Sequence, residues 1–61
     1  MTQQEQQLIQ AIKAKPGYQV FVYVDRRVAT VARTQPNRVS QQSVWLGRPI
    51  TISRLQQILE A

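Results

Sequence analysis

The chain has 61 residues, with eight Lys and Arg against three acids, no His and no Cys, which gives a formal net charge of +5. General acid–base catalysis draws on His or on neighbouring carboxylates, and Glu5, Asp25 and Glu60 lie far apart in the sequence. Zinc sites need Cys or His, and phosphate loops need clustered glycines, whereas Gly17 and Gly47 stand alone. This composition predicts a protein that is not an enzyme and holds no metal or cofactor, while the positive charge favours an anionic partner.

The length predicts a single small basic domain, residues 1–61. A core of this size supplies only about 3–5 kcal/mol by itself, so we expect either very regular packing or a homo-oligomer. No apolar run approaches the roughly 20 residues of a membrane span, and the glutamine-rich start is unlike a signal peptide. We therefore expect a soluble, cytoplasmic protein without membrane contact, and no small-molecule substrate is evident.

Residues 2–15 are predicted to form the first helix. Thr2 followed by Glu5 has the spacing of a capping box, in which the hydroxyl and the carboxylate each accept from a free backbone N–H. Apolar residues recur at helical spacing along the segment, and Pro16-Gly17 ends it.

The segment 18–24, Tyr-Gln-Val-Phe-Val-Tyr-Val, is predicted to be a strand because six of its seven residues are β-branched or aromatic. Alternation places Phe21 and Tyr23 with Gln19 on one face, opposite Tyr18 and the valines. Because both faces are largely apolar, the segment is either a central strand or a strand with one face covered by a partner.

Two more strands and a second helix are predicted to follow. The strands are 27–34 and a segment from residue 39 or 40 to 46, each bounded by turn-forming residues. A helix is expected over about 52–60, with Thr51 or Ser53 as its N-cap. The predicted fold class is α+β: a three-stranded antiparallel sheet with an N-terminal and a C-terminal helix, in the order α-β-β-β-α.

The arginines are the principal candidates for binding, and their alternative role is a solvated surface that keeps the protein soluble. Arginine makes bidentate contacts with phosphate and guanine, and the shortage of acids favours contact because a solubility surface normally mixes charges. If Arg27 and Arg33 share a face, they lie about 20 Å apart along one strand and span neighbouring phosphates. The predicted nucleic-acid-binding residues are Arg26, Arg27, Arg33, Arg38, Arg48 and Arg54.

Trp45 is predicted to be a core residue that closes the sheet against a helix, as is common for the single Trp of a small domain. The alternative is an exposed platform on which bases stack, and this requires further aromatics on the same face. Phe21 and Tyr23 share one face of the first strand, so the strand register decides between the two interpretations.

The run Val44-Trp45-Leu46-Gly47, followed by Thr51 at the head of an amphipathic helix, resembles the DNA-binding domain of plant ethylene-response factors. The arm-binding domains of some phage and transposon integrases have a similar sheet and helix. The resemblance covers residues 18–61 and implies a sheet that lies in the DNA major groove, with Arg27 and Arg33 on the strand that contacts DNA. The basic-residue-free first strand and the additional N-terminal helix depart from that pattern.

These observations predict a nucleic-acid-binding domain that uses a sheet face and an arginine rim, with DNA as the favoured partner and RNA as the alternative. The alternative is a protein-interaction module or homo-oligomeric accessory subunit that does not bind nucleic acid. In that case a homodimer would form through the first strand or a sheet face. An acidic protein partner also fits the charge.

Overall fold

The computed structural model describes residues 1–61 and confirms the predicted order of elements. The strands form one antiparallel sheet in the order β1-β2-β3, so the fold is α+β. No helix is long and apolar enough to cross a membrane. The elements are α1, Gln3–Lys13; β1, Tyr18–Tyr23; β2, Val28–Gln35; β3, Arg38–Trp45; and α2, Thr51–Glu60.

The strand β1 lies at an edge of the sheet, and the central position belongs to β2. The central-strand interpretation of its two apolar faces is therefore wrong. A 3₁₀ turn over Val24–Arg26 links β1 to β2, and Arg27 closes it with a φ of +54°. A residue with a Cβ pays roughly 1–2 kcal/mol in this left-handed region, so the paired strands on either side must hold the turn.

The strand register divides the sheet into two chemically different faces. Both helices pack on the face that carries Val20, Val31 and Val44, which we call the covered face. The opposite side, the open face, has no element packed over it. The open face consists of Gln19, Phe21, Tyr23, Val28, Thr30, Ala32, Thr34, Val39, Gln41, Ser43 and Trp45.

The hydrophobic core lies between the covered face and the two helices. The small side chains of Ala29 and Val31 on the central strand leave room for Ile12 and Leu55, which are both fully buried. Larger residues thus pack over the small residues of the central strand. The core consists of Ile9, Ile12, Ala29, Val31, Val44, Leu46, Leu55 and Ile58.

Glu5 joins the start of α1 to the loop after β3. The capping box is formed as predicted: Glu5 N–H donates to the Thr2 hydroxyl at 3.1 Å, and one Glu5 carboxylate oxygen accepts from Thr2 N–H at 3.0 Å. The other carboxylate oxygen accepts from the Gly47 N–H, also at 3.0 Å. Glu5 is only 3% exposed, so a buried carboxylate satisfies two backbone donors that are 45 residues apart in sequence.

The start of α2 differs from the prediction, because neither Thr51 nor Ser53 is its N-cap. Ile50 occupies that position and makes no side-chain capping bond. Thr51 is the first helical residue and is fully buried. Its hydroxyl donates to the Trp45 carbonyl and accepts from the Arg48 N–H, so it closes the loop between β3 and α2 instead of capping the helix.

Lys15 caps the other end of α2. Its ammonium group donates to the carbonyl oxygens of Ile58, Leu59 and Ala61 at 3.3, 2.7 and 2.7 Å. The Ile58 carbonyl also accepts from the Ala61 N–H. All three carbonyls lie at the negative dipole end of α2, which a cation stabilises. The chain just after α1 is thereby fastened to the end of α2.

Replacing Glu5 by Ala should lower the free energy of unfolding by about 2–3 kcal/mol, because Thr2 and Gly47 lose their acceptor at a buried position. Urea unfolding followed by circular dichroism measures the loss. Glu60→Ala removes the same charge from an exposed position and is the matched control. Glu5→Gln retains one acceptor oxygen and should fall between the two. Equal unfolding midpoints for Glu5→Ala and Glu60→Ala would contradict this role.

Replacing Lys15 by Met should cost about 1–2 kcal/mol, because the apolar stem is kept while three hydrogen bonds to the end of α2 are lost. Lys13→Met removes the same charge from an exposed position in the last turn of α1 and should cost less than about 0.5 kcal/mol. Thermal unfolding of the two variants side by side provides the measurement. A loss in Lys15→Met that is no greater than about 0.5 kcal/mol would contradict the capping role of Lys15.

Candidate nucleic-acid interface

Three of the six predicted arginines gather around Trp45. Arg26 lines a shallow depression on the open face together with Tyr23 and Trp45. Arg48 and Arg54 line a second depression on the other side of Trp45, between β3 and the start of α2. The 3₁₀ turn positions the first of these arginines, and the loop and first turn of α2 position the other two.

The other three arginines lie elsewhere. Arg33 is the cross-strand partner of Tyr18, and its guanidinium carbon is 5.5 Å from that ring. Arg38 donates to the Gln35 side chain at 2.8 Å, at the far end of the β2–β3 hairpin. Arg27 lines a hollow near Met1, on the side of the helices. Arg27 and Arg33 therefore point away from the open face, so the structure does not bring the predicted residues into one cluster.

Trp45 lies on the open face and is 59% exposed, so its predicted place in the core is wrong. The physical reason is the register: Trp45 pairs with Val28, which pairs with Tyr23, and the three side chains form one row across the sheet. Phe21 lies on the same face, one row further along β1, and both it and Tyr23 are 48% exposed. The alternative interpretation of Trp45 required additional aromatics on its face, and the register supplies two.

Arg48 and Thr51 hold Trp45 in place. The guanidinium carbon of Arg48 lies 5.7 Å from the centroid of the Trp45 ring, within the range of a cation–π contact. The backbone of Arg48 is bonded in turn to the Thr51 hydroxyl, which also bonds the Trp45 carbonyl. Side chain and backbone are thus both restrained, and the indole is held on the surface in a defined position.

The surroundings of the open face are predominantly cationic. None of its strand residues is acidic. Glu5 is buried on the helix side, Glu60 lies in the last turn of α2, and Asp25 is exposed in the 3₁₀ turn. No group of His, Cys, Asp and Glu is placed to hold a metal ion. The chemistry available here is therefore stacking, hydrogen bonding and attraction of negative charge.

Two aromatic residues of this surface were absent from the predicted binding residues. The sequence places Phe21 and Tyr23 on one face of β1 together with Gln19. The polar Gln19 was the available signal that this face is exposed to solvent. A hydroxyl pair, Thr30 and Ser43 at 3.2 Å, also belongs to the open face. It was not predicted because it depends on cross-strand pairing.

Fold and surface together define a small basic α+β domain with one helix-covered sheet face and one open aromatic face. Comparison with protein-family models, curated proteins and solved structures found no match. The functional argument for this chain therefore depends on the geometry and charge of the open face.

Replacing Trp45 by Ala should lower the free energy of unfolding by about 1 kcal/mol or less, because the ring is largely in water and contributes mainly its cross-strand contact with Val28. Leu55→Ala, at a fully buried position, should cost about 2–5 kcal/mol. Urea unfolding curves compare the two variants. A loss of about 3 kcal/mol or more in Trp45→Ala, as expected for a buried aromatic, would contradict the exposed position.

Proposed function

We propose that this protein is a nucleic-acid-binding domain, without catalytic activity, that contacts DNA or RNA through its open face, with DNA as the first candidate. In this proposal it acts in the cytoplasm, where nucleic acid is accessible to it. The observation that carries the proposal is the convergence of three arginines, Arg26, Arg48 and Arg54, around an exposed aromatic face that bears no acid.

The division of charge on this surface suits a polyanion. A guanidinium group binds phosphate through paired N–H donors, and three such groups at the rim can follow a sugar–phosphate backbone. The aromatic and hydroxyl side chains inside the rim are suited to bases, which have apolar faces and polar edges. A surface that served only to keep the protein soluble would gain nothing from exposed aromatic rings beside its arginines.

Binding should depend on the arginines around Trp45 and not on net charge alone. The double variant R26A/R54A removes two rim charges, and R33A/R38A removes two charges outside the open face, so each changes the net charge from +5 to +3. We expect R26A/R54A to weaken binding and to reduce the slope of log affinity against log salt by about 2, while R33A/R38A leaves the slope nearly unchanged. Fluorescence anisotropy with labelled DNA, as duplex and as single strand, provides the measurement.

Equal losses of affinity in the two double variants would mean that the positive charge attracts DNA without a defined site. Binding that vanishes at physiological salt would mean the same. Either result would contradict binding through the open face. Arg48 is kept in both variants because it contacts the Trp45 ring. Its substitution would change the orientation of the ring as well as the charge.

The competing proposal, a protein-interaction or homo-oligomeric module, is favoured by the same exposed rings and by the free edge of β1. Sedimentation velocity of the free protein at micromolar concentration separates the two. A dimer in wild type that dissociates in Tyr23→Ala or Trp45→Ala would mean that the open face is occupied by a second copy. A monomer leaves the open face free for nucleic acid.

A further inference from the structure

We propose that the open face binds single-stranded nucleic acid in preference to a duplex, with bases stacked on Trp45 and Tyr23. The inference rests on the proposed function, because it concerns the form of polymer that the same surface takes. It departs from the major-groove geometry that the resemblance to ethylene-response-factor domains implies.

The distribution of residue types on the open face carries the argument. Every strand residue of this face is aromatic, aliphatic, hydroxyl-bearing or an amide, and none is Arg or Lys. The cations, Arg26, Arg48 and Arg54, lie at the rim. A sheet that enters a major groove reads base edges and phosphates with charged and amide side chains from its centre. Here the strand residues of the face include three aromatic rings and no cation, so the face suits base rings, while the rim suits phosphates.

Base faces are accessible only in a single strand. In a duplex each base is stacked between its neighbours. Aromatic side chains in a groove cannot stack on a base unless they separate two adjacent base pairs. Unpaired bases can lie flat on an aromatic side chain, and every base has a ring face, so such stacking tolerates many sequences. Three aromatic residues that are 48–59% exposed on one sheet face are arranged for this contact.

The spacing of the rings fits consecutive bases. Trp45 and Tyr23 lie in one row on either side of Val28, which puts their Cα atoms about 10 Å apart across two strand spacings. Phe21 is two residues along β1 from Tyr23, about 7 Å away. This area accommodates about two or three bases, the number that a comparable aromatic sheet stacks.

Trp45 and the hydroxyl pair provide the more specific contacts. Arg48 lies over one face of the indole and the ring is still 59% exposed, so a base can stack on the opposite ring face. The Thr30 and Ser43 hydroxyls lie in the adjacent row and can donate to or accept from a base edge. Arg26 is near both rings and is placed to meet the phosphate between two stacked bases.

The test compares a labelled oligo-dT of about 12 nucleotides, within the roughly 4–16 that one small domain covers, with the matching dT·dA duplex. We expect the single strand to bind at least about tenfold more tightly than the duplex. Because Trp45 is the only Trp of the chain, unlabelled oligo-dT should also quench the intrinsic fluorescence as the base stacks on the ring.

Variants identify the stacking residues. Trp45→Ala and Tyr23→Ala should each weaken oligo-dT binding about fivefold or more, the effect of losing one stacked base. Trp45→Phe retains a ring and should retain most of the affinity. Val24→Ala is the control, because Val24 is an exposed aliphatic residue outside the open face. Circular dichroism verifies that each variant is folded.

The outcomes separate this inference from the proposed function. Duplex binding as tight as single-strand binding, insensitive to Trp45→Ala and without quenching, would overturn the single-strand preference and leave nucleic-acid binding intact. Single-strand binding that is unchanged in both alanine variants would place the strand elsewhere and would also overturn the inference. Absence of binding to either probe would overturn both proposals.

Discussion

The buried carboxylate of Glu5 is the constraint on which the arrangement of the other elements depends. One oxygen completes the local capping box, and the other accepts the N–H of Gly47, 42 residues further along the chain. Gly47 has a φ of +72°, a conformation that a residue with a Cβ adopts only at a cost, so the turn presents its N–H to Glu5 without strain. This bond places the start of α1 beside the loop that leads into α2. Lys15 fastens the far end of α2 to the chain after α1, and both helices are thereby held on the same sheet face.

A sheet with both helices on one face leaves its other face without cover. Burying a large aromatic side chain would contribute about 1.5–3 kcal/mol, which is comparable with the whole stability expected of a domain this small. Phe21, Tyr23 and Trp45 nevertheless lie in water on the open face, while smaller aliphatic residues fill the core. Solvent exposure of three rings on one rigid surface is a feature typical of a binding site, because it forgoes stability that the chain could have used.

The arginines follow the same asymmetry. Arg26, Arg48 and Arg54 lie around Trp45, at one end of the open face. Arg33 and Arg38 instead contact the Tyr18 ring and the Gln35 side chain, away from Trp45. Net charge alone would treat all of them as equivalent. Their positions in the fold divide the arginines into those that can bind one ligand together and those that cannot. Arginines of the second group therefore serve as controls for the proposed function.

The sequence by itself determined the α+β order, the capping box and the approximate bounds of each strand, because these follow from neighbouring residues. It also assigned Phe21 and Tyr23 to one face of β1. Only the tertiary structure decided that β1 is an edge strand, that Trp45 joins those two rings, and that Thr51 closes a loop instead of capping α2. The physical reason is that strand register and helix placement depend on contacts between distant residues, such as Glu5 with Gly47, which no local pattern contains.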